Sequence, residues 1–262
     1  MNNLRGVYTI WYRDILRFWH DKMRMIGAIF LPLLFLFVFG SGLSGMMGNL
    51  GPGVNFAQFM FPGIIGMTVF MGSFMAGVSV VWDREFGFLK EVLVAPISRA
   101  SVAVGKTLGA ATVALIQGMI ILLFALLIGV SLSAQTVLAL LPLMLLLAFS
   151  MGSFGVLLAT RIRTIEAFQA VMQILMFPMI FLSGVFFPLQ GVPTWMSILT
   201  KINPVTYGVT TIRQVILGAS PDSPFGITLL GHTMSLWNNV AVLAVFGLVM
   251  TLAAMRSFST QD

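Results

Sequence analysis

The sequence predicts an all-α polytopic membrane protein with six transmembrane helices, and three observations predict it. The chain is 58% hydrophobic and 8% charged, where soluble globular chains carry about 25% charged residues. No Lys, Arg, Asp or Glu falls in Met25–Trp82, Thr107–Thr160, Ala167–Thr200 or Ser223–Met255. Lys and Arg also gather on alternate connections between these stretches. One helical crossing takes roughly 20 mostly apolar residues, so the first two stretches each hold two crossings and a loop, and the last two hold one each. The runs are continuously apolar rather than alternating. That selects helices, since backbone groups in hydrocarbon must be paired within a helix or a closed barrel.

The elements follow in order. In Val7–Lys22, Val7, Ile10, Trp11, Ile15, Phe18 and Trp19 recur at helical spacing, with Arg13, Arg17 and Asp21 opposite. An apolar, Trp-bearing face backed by bases is expected to lie in the membrane interface, so residues 1–24 read as an amphipathic interfacial segment. Span 1 is expected at Ile26–Leu43; the apolar run is too long for a cleavable leader, so it should stay as an anchor. A glycine-rich, uncharged loop leads to span 2 at Phe61–Val81. Span 3 covers Val102–Val130 and span 4 Val137–Thr160. The short link Ser131–Gln135 predicts that these two form a tight antiparallel pair. Span 5 covers Ala167–Phe187 and span 6 Trp237–Met255, so a transmembrane domain occupies 25–256 and a tail 257–262.

Orientation follows from the bases. Arg5, Arg13, Arg17, Lys22, Arg24, Arg84, Lys90, Arg99, Lys106, Arg161, Arg163 and Arg256 fall on one side, and only Lys201 and Arg213 on the other. The positive-inside rule then puts both termini in the cytoplasm. The net charge of +6 is explained by this topology, and nucleic acid is not expected as a partner. Zero cysteines exclude disulfides, thiolate metal sites and Cys nucleophiles. Apart from Lys106 at the cytoplasmic mouth of span 3, no Asp, Glu, Lys or Arg falls within the expected spans, which argues against an ion-coupled carrier.

Gly105-Lys106-Thr107 imitates a phosphate loop, but Ala100 stands where that motif needs its first glycine. Lys106 reads instead as an interfacial positive charge. Gln117 in span 3 and Gln169 and Gln173 in span 5 are the main polar groups inside the spans. They serve either interhelical hydrogen bonding or a polar patch on a substrate path. Gly105/Gly109, Ala114/Gly118 and Ala148/Gly152 allow close helix contact without naming the partner helix.

The segment Trp82–Arg99 is the most specific in the chain. Its first half reads as a mixed-charge helix with Phe86, Leu89 and Leu93 on one face, ended by Pro96. A plain connecting loop has no need of such a helix, so a docking role toward a soluble partner is expected. Arg84-Glu85-x-Gly87-x-Leu89, followed by Val92–Arg99, resembles the cytoplasmic signature of the ABC type-2 exporter permeases. A second match follows span 5: Leu182–Pro188, Pro193-x-Trp195, Asn203-Pro204-x-Thr206-Tyr207, then Arg213. The sequence departs from a common family form at Phe88 and at Lys90-Glu91, which bears on fine partner specificity.

The resemblance implies a coupling helix between spans 2 and 3 that rests on an ATP-binding subunit through Arg84, Glu85, Gly87, Leu89, Glu91 and Pro96, with Phe86 among the apolar anchors. ATP and Mg would sit on that partner, with no cofactor bound by this chain. Between spans 5 and 6, Gly184, Pro188, Pro193, Trp195, Asn203, Pro204 and Tyr207 would belong to a re-entrant helical pair near the external surface. The prolines themselves predict two helices too short to span, which an amphipathic external loop would also satisfy. The implied protein is a permease subunit, not itself an enzyme, in a bacterial or archaeal cytoplasmic (inner) membrane. It would pair with a second copy or a similar chain, contact membrane lipids, and export a hydrophobic or amphipathic cargo such as a drug-like molecule, lipid or glycan. A membrane scaffold recruiting a cytoplasmic partner is the competing reading, and a secondary carrier the third.

Overall fold

The structure is a computed structural model and describes residues 3–47, 54–87, 98–218, 226–229 and 232–259. Helices α1 (Asn3–His20) and α2 (Lys22–Met47) are separated by Asp21 alone, and their axes bend by 71°. Helix α3 (Phe56–Phe74) starts at a reciprocal cap, in which the side chains of Asn55 and Gln58 each accept from the other's backbone N–H, satisfying donors that a helix start leaves free. After a break at Met75, α4 (Ala76–Glu85) continues the same span. Helix α5 (Arg99–Leu122), capped by Ser98, tightens into a 3-10 turn at Leu123–Ile128 and stops at Gly129. Then come α6 (Ala134–Arg161) and α7 (Ile165–Phe181), capped by Ser133 and Thr164. The short α8 (Thr194–Ile202) and α9 (Pro204–Leu217) follow. Two-residue strands β1 (Thr228–Leu229) and β2 (His232–Thr233) pair antiparallel before α10 (Leu236–Ser259).

Phe56–Glu85, Arg99–Ile128, Ala134–Arg161 and Leu236–Phe258 are long and apolar enough to cross a membrane, and the bent α1–α2 pair adds a fifth candidate. Helix α7, expected to run to Phe187, ends at Phe181 because the chain turns at Leu182–Ser183 and Gly184 adopts φ 77°. Its 17 residues make it the shortest of the expected spans, at the lower limit of about 17 residues for a crossing.

Helix α3 sits at the centre. Phe59, Met60, Phe61, Ile64, Ile65, Val69 and Phe70 bury every side of it, as expected for a helix apolar all round. Helices α2, α5, α6 and α9 surround it. Lipid is as apolar as leucine, so close packing at small residues must hold such a bundle together. The small-residue stripes now have partners. A methyl group on Gly105 or Gly109 would lie 3.0 Å from Cβ of Ile10 or Asp14, so this pair is the seat of α1. Gly118 faces Met144 and Val69, and Gly152 faces Thr107 and the Ser73 carbonyl.

The interfacial helix turns most of its expected apolar face onto the bundle, with Trp19 as the exception. Gly6, Ile10 and Phe18 are buried against the bundle with Asp14 on the same stripe, whereas Trp19 is exposed with Leu4, Tyr8, Tyr12 and Leu16. Trp11 is drawn inward, its Nε1 donating to Thr112 Oγ1 at 2.9 Å. Arg13 does not back a solvated face either; acids on this helix and on α4 hold it.

A charged hub at the end of helix α4

Side-chain contacts bring the end of α4, the start of α5, the α6–α7 turn and the ends of α1 and α10 to one end of the bundle. There α4 finishes with Asp83-Arg84-Glu85, and each residue grips a different neighbour. Asp83 Oδ2 lies 2.7 Å from Arg13 Nη2 of α1 and 2.6 Å from Lys106 Nζ of α5. Lys106 Nζ also lies 3.2 Å from Asp14 Oδ1 and donates to Ser79 Oγ at 2.8 Å. Lys106 is only 2% exposed, so the expected interfacial charge is instead a buried one. Burying an ammonium costs several kcal/mol unless it is paired and hydrogen-bonded, and here two carboxylates and a hydroxyl meet it. Burial opposes the charge of the Arg13 guanidinium, but hydrogen bonding and attraction from Asp83, with Asp14 behind it, raise its pKa above the ordinary arginine value. Since Lys106 sits within α5, the Gly-Lys-Thr sequence has no loop in which to cradle phosphate.

Arg84 Nη1 donates to the carbonyls of Ala159 (3.1 Å) and Ile162 (2.9 Å), where α6 leaves its last acceptors unpaired. Glu85 Oε2 accepts from the Ile165 N–H at 3.0 Å, at the positive start of α7. Three consecutive side chains therefore hold α1, α5, α6 and α7. Two residues expected to face a partner, Arg84 and Glu85, make contacts inside the chain; Phe86 faces outward, 70% exposed. Its ring lies 5.4 Å from that of Trp82, over which the Arg17 guanidinium sits at 5.3 Å. Helix α4 stops here, where Gly87 takes φ 79°, the usual glycine exit from a helix; the rest of the expected coupling helix, 88–97, lies outside the described residues. No described residue lies within 4 Å of a Cβ built there, so among the described residues its role is conformational. Leu89, Glu91 and Pro96 lie outside the described residues. Sequence reasoning passed over Asp14 and Asp83; an acid on a basic interfacial helix and an acid opening a mixed-charge run were the only signals.

The three glutamines line two adjoining cavities of about 230 Å³ each that share Leu31, Met71, Met75 and Met176. Gln169 and Gln173 border one, and Gln117 the other. At the far end, Asn203 caps α9 and its Nδ2 donates to the Met179 carbonyl at 2.6 Å, while Pro204 fills the first turn. Tyr207 Oη donates to the Lys201 carbonyl at 2.6 Å, folding α9 back on α8. Pro193 precedes the first residue of α8, Pro188 lies in the turn before it, and Trp195 is exposed. Arg213, expected as an external loop charge, is 1% exposed. Its Nη2 donates to the Gly184 carbonyl at 2.7 Å and its guanidinium lies 4.1 Å from the Phe59 ring centre. Among the described residues no group of three or more His, Asp or Glu could hold a metal ion.

Residues 5–217 match the family described as ABC-2 type transporter. Across 94% of its length the chain is 31% identical to ycf38 of Cyanophora paradoxa, which carries the name of a transport permease, and covers 86% of that protein. It is 24% identical to the inner membrane transport permease YadH of Escherichia coli K12, over 84% of this chain and 86% of YadH. It is 27% identical to YbhR of the same strain, named as a multidrug ABC transporter permease, over 75% of this chain and 52% of YbhR. A match of this extent, on a bundle of apolar helices, means that the chain belongs to the ABC-2 type transporter family and is a membrane subunit of an ABC transporter.

Proposed function

We propose that this chain is one permease half of an ATP-driven exporter, and that the Asp83-Arg84-Glu85 hub carries force from a nucleotide-binding subunit into the membrane helices. Six crossings are counted by taking α2 and α7 with the four longer spans. Residues 1–24 then form the interfacial segment, 25–256 the transmembrane domain and 257–262 the tail, with both termini cytoplasmic in an inner membrane. Two such halves, two copies or one with a similar chain, bind two ATPase subunits that hold ATP and Mg. The cargo leaves along the methionine-lined cavities bordered by Gln117, Gln169 and Gln173, and α8–α9 form a re-entrant pair near the outer surface. A hydrophobic or amphipathic cargo suits the near absence of charge there.

The hub carries this reading. A plain topological charge cluster has no reason to hold four helices through three adjacent side chains next to an exposed aromatic. The contacts divide the roles. Phe86, with Leu89, Glu91 and Pro96 beyond it, supplies the docking surface; Arg84 and Glu85 pass the displacement to α6 and α7. Co-purification with an ATP-binding subunit tests the class. Phe86→Ala should weaken that association roughly 30-fold or more, as loss of an aromatic anchor worth about 2 kcal/mol or more would, with the permease itself as stable as before. Glu85→Lys should keep the ATPase bound and leave its hydrolysis uncoupled from export. Full export by both variants would refute the assignment.

A further inference from the structure

Helix α1 carries a second apolar face beside the one that docks. Leu4, Tyr8, Tyr12, Leu16 and Trp19 follow one another at helical spacing and all are exposed. Tyr and Trp settle where hydrocarbon meets water, because each ring joins an apolar body to a polar tip. Beyond the 71° bend, Met23, Ile26 and Phe30 of α2 are exposed as well, so both arms of this corner present apolar surface. An open groove of about 710 Å³ lies at the corner, lined by Arg13, Leu16, Arg17, His20, Asp21 and Asp83. Leu16 thus belongs to both the groove and the apolar face.

The charges in the groove are unequally engaged. Asp83 is held by Arg13 and Lys106, at 2.7 and 2.6 Å. Arg17 is half-exposed and reaches Asp83 only at 3.9 Å. Its guanidinium lies over the Trp82 ring, 5.3 Å from the centre, and no described residue accepts a hydrogen bond from its side chain. An arginine resting on an aromatic face keeps its forked N–H edge for phosphate oxygens. Asp21 stands at the rim, where Arg17, Lys22 and Arg24 outnumber it.

We infer that the corner between α1 and α2 binds an anionic phospholipid, its phosphate on Arg17 with Lys22 close by and its acyl chains along the exposed apolar residues. A lipid fits better than a soluble phosphate, which would leave the aromatic face uncovered. An apolar face and flanking bases act together in holding a helix to an anionic leaflet. The inference rests on residues 1–24 being an interfacial segment and does not depend on export.

The chain has no cysteine, so a bimane label can be placed on the full chain at Met23→Cys, with Leu248→Cys on α10 as the reference. Each is reconstituted in phosphatidylcholine nanodiscs, and quenching by doxyl-labelled phosphatidylglycerol is compared with that by doxyl-labelled phosphatidylcholine of the same acyl chains. At Met23→Cys the anionic lipid should associate about tenfold more strongly, and at Leu248→Cys the two should agree within about twofold. Arg17→Gln should lower the corner preference about fivefold, the share of one base near an anionic surface. Lys22→Gln should do the same, and it serves if Arg17→Gln yields no folded protein. An excess of soluble glycerol phosphate should leave the preference in place. Its loss to glycerol phosphate would make the ligand a soluble phosphate and overturn the inference, as would an equal preference at both labels or one unchanged in the glutamine variants. Equal quenching by the two lipids at the corner would remove the site and leave α1 interfacial. No quenching there by either lipid would mean that a second copy covers the face, and the interfacial reading would fall with the site.

Discussion

Lys106 shows how far one side chain can be misplaced by its local sequence. Between Gly105 and Thr107 it looks like a solvated charge at a helix mouth; in the fold it is locked between Asp83 and Asp14, each reached from a different helix. Removing one partner from a buried ion pair costs about 3–5 kcal/mol where the other charge is left uncompensated; here Arg13 still faces both acids, which holds the loss to the low end of that range or below it. Lys106→Met should therefore lower the stability of the solubilised chain by about that much, read as loss of monodisperse protein on heating, and leave the nucleotide affinity of the assembled complex unchanged. Arg17→Ala offers the contrast. Arg17 touches Asp83 only at 3.9 Å and otherwise rests on the Trp82 face, an exposed cation–π contact worth about 0.5–1 kcal/mol. Equal destabilisation by the two changes would mean that Lys106 is not the keystone of the cluster.

Helix ends and faces decide the next scale. Gly87 leaves α4 in the left-handed region, where any side chain costs roughly 1–2 kcal/mol. Gly87→Ala should thus misdirect the partner-facing segment and weaken ATPase association, while Gly87→Asn, which tolerates this conformation better, should lose less; a pull-down of the ATPase subunit measures both. Helix α1 depends on the absence of side chains at Gly105 and Gly109. The chain has no native cysteine, so Trp11→Cys with Thr112→Cys, which replaces a direct hydrogen-bonded pair, should cross-link efficiently with a short bifunctional thiol reagent. Adding Gly109→Leu should abolish that cross-link. Its persistence would show that α1 is seated elsewhere. The helical character of α1 was legible from spacing, and so was the inward turn of Ile10 and Phe18. That Asp14 shares their stripe was not, because its partner, Lys106, lies on α5.

At the scale of the molecule, the basic connections gather at one end of the bundle and the Ser133-capped turn lies at the other. Arg163 and Gln135 are both exposed, so single cysteines there report sidedness without disturbing packing. An impermeant thiol reagent applied to intact cells should label Gln135→Cys and spare Arg163→Cys; the opposite pattern would invert the orientation and remove the hub from the side where ATP is available. The outward faces of α2, α7 and α10 present Phe30, Leu34, Ile174, Phe177, Val245 and Leu248, side chains suited to hydrocarbon or to a second permease half.

The sequence by itself determined where the long helices run and at which connections the bases gather. Apolar length and charge position are local properties, and membrane insertion responds to them directly. It also determined the family, through motifs that lie in the connections rather than the spans. Tertiary structure alone decided which acids meet Lys106, that Arg84 and Glu85 turn inward while Phe86 turns out, and that Arg213 is buried under Gly184 and Phe59. Each of these depends on residues far apart in the chain arriving at one point, Asp14, Asp83 and Lys106 most plainly. Helical periodicity carries no record of such meetings, because it describes one helix at a time and the charges are neutralised between helices.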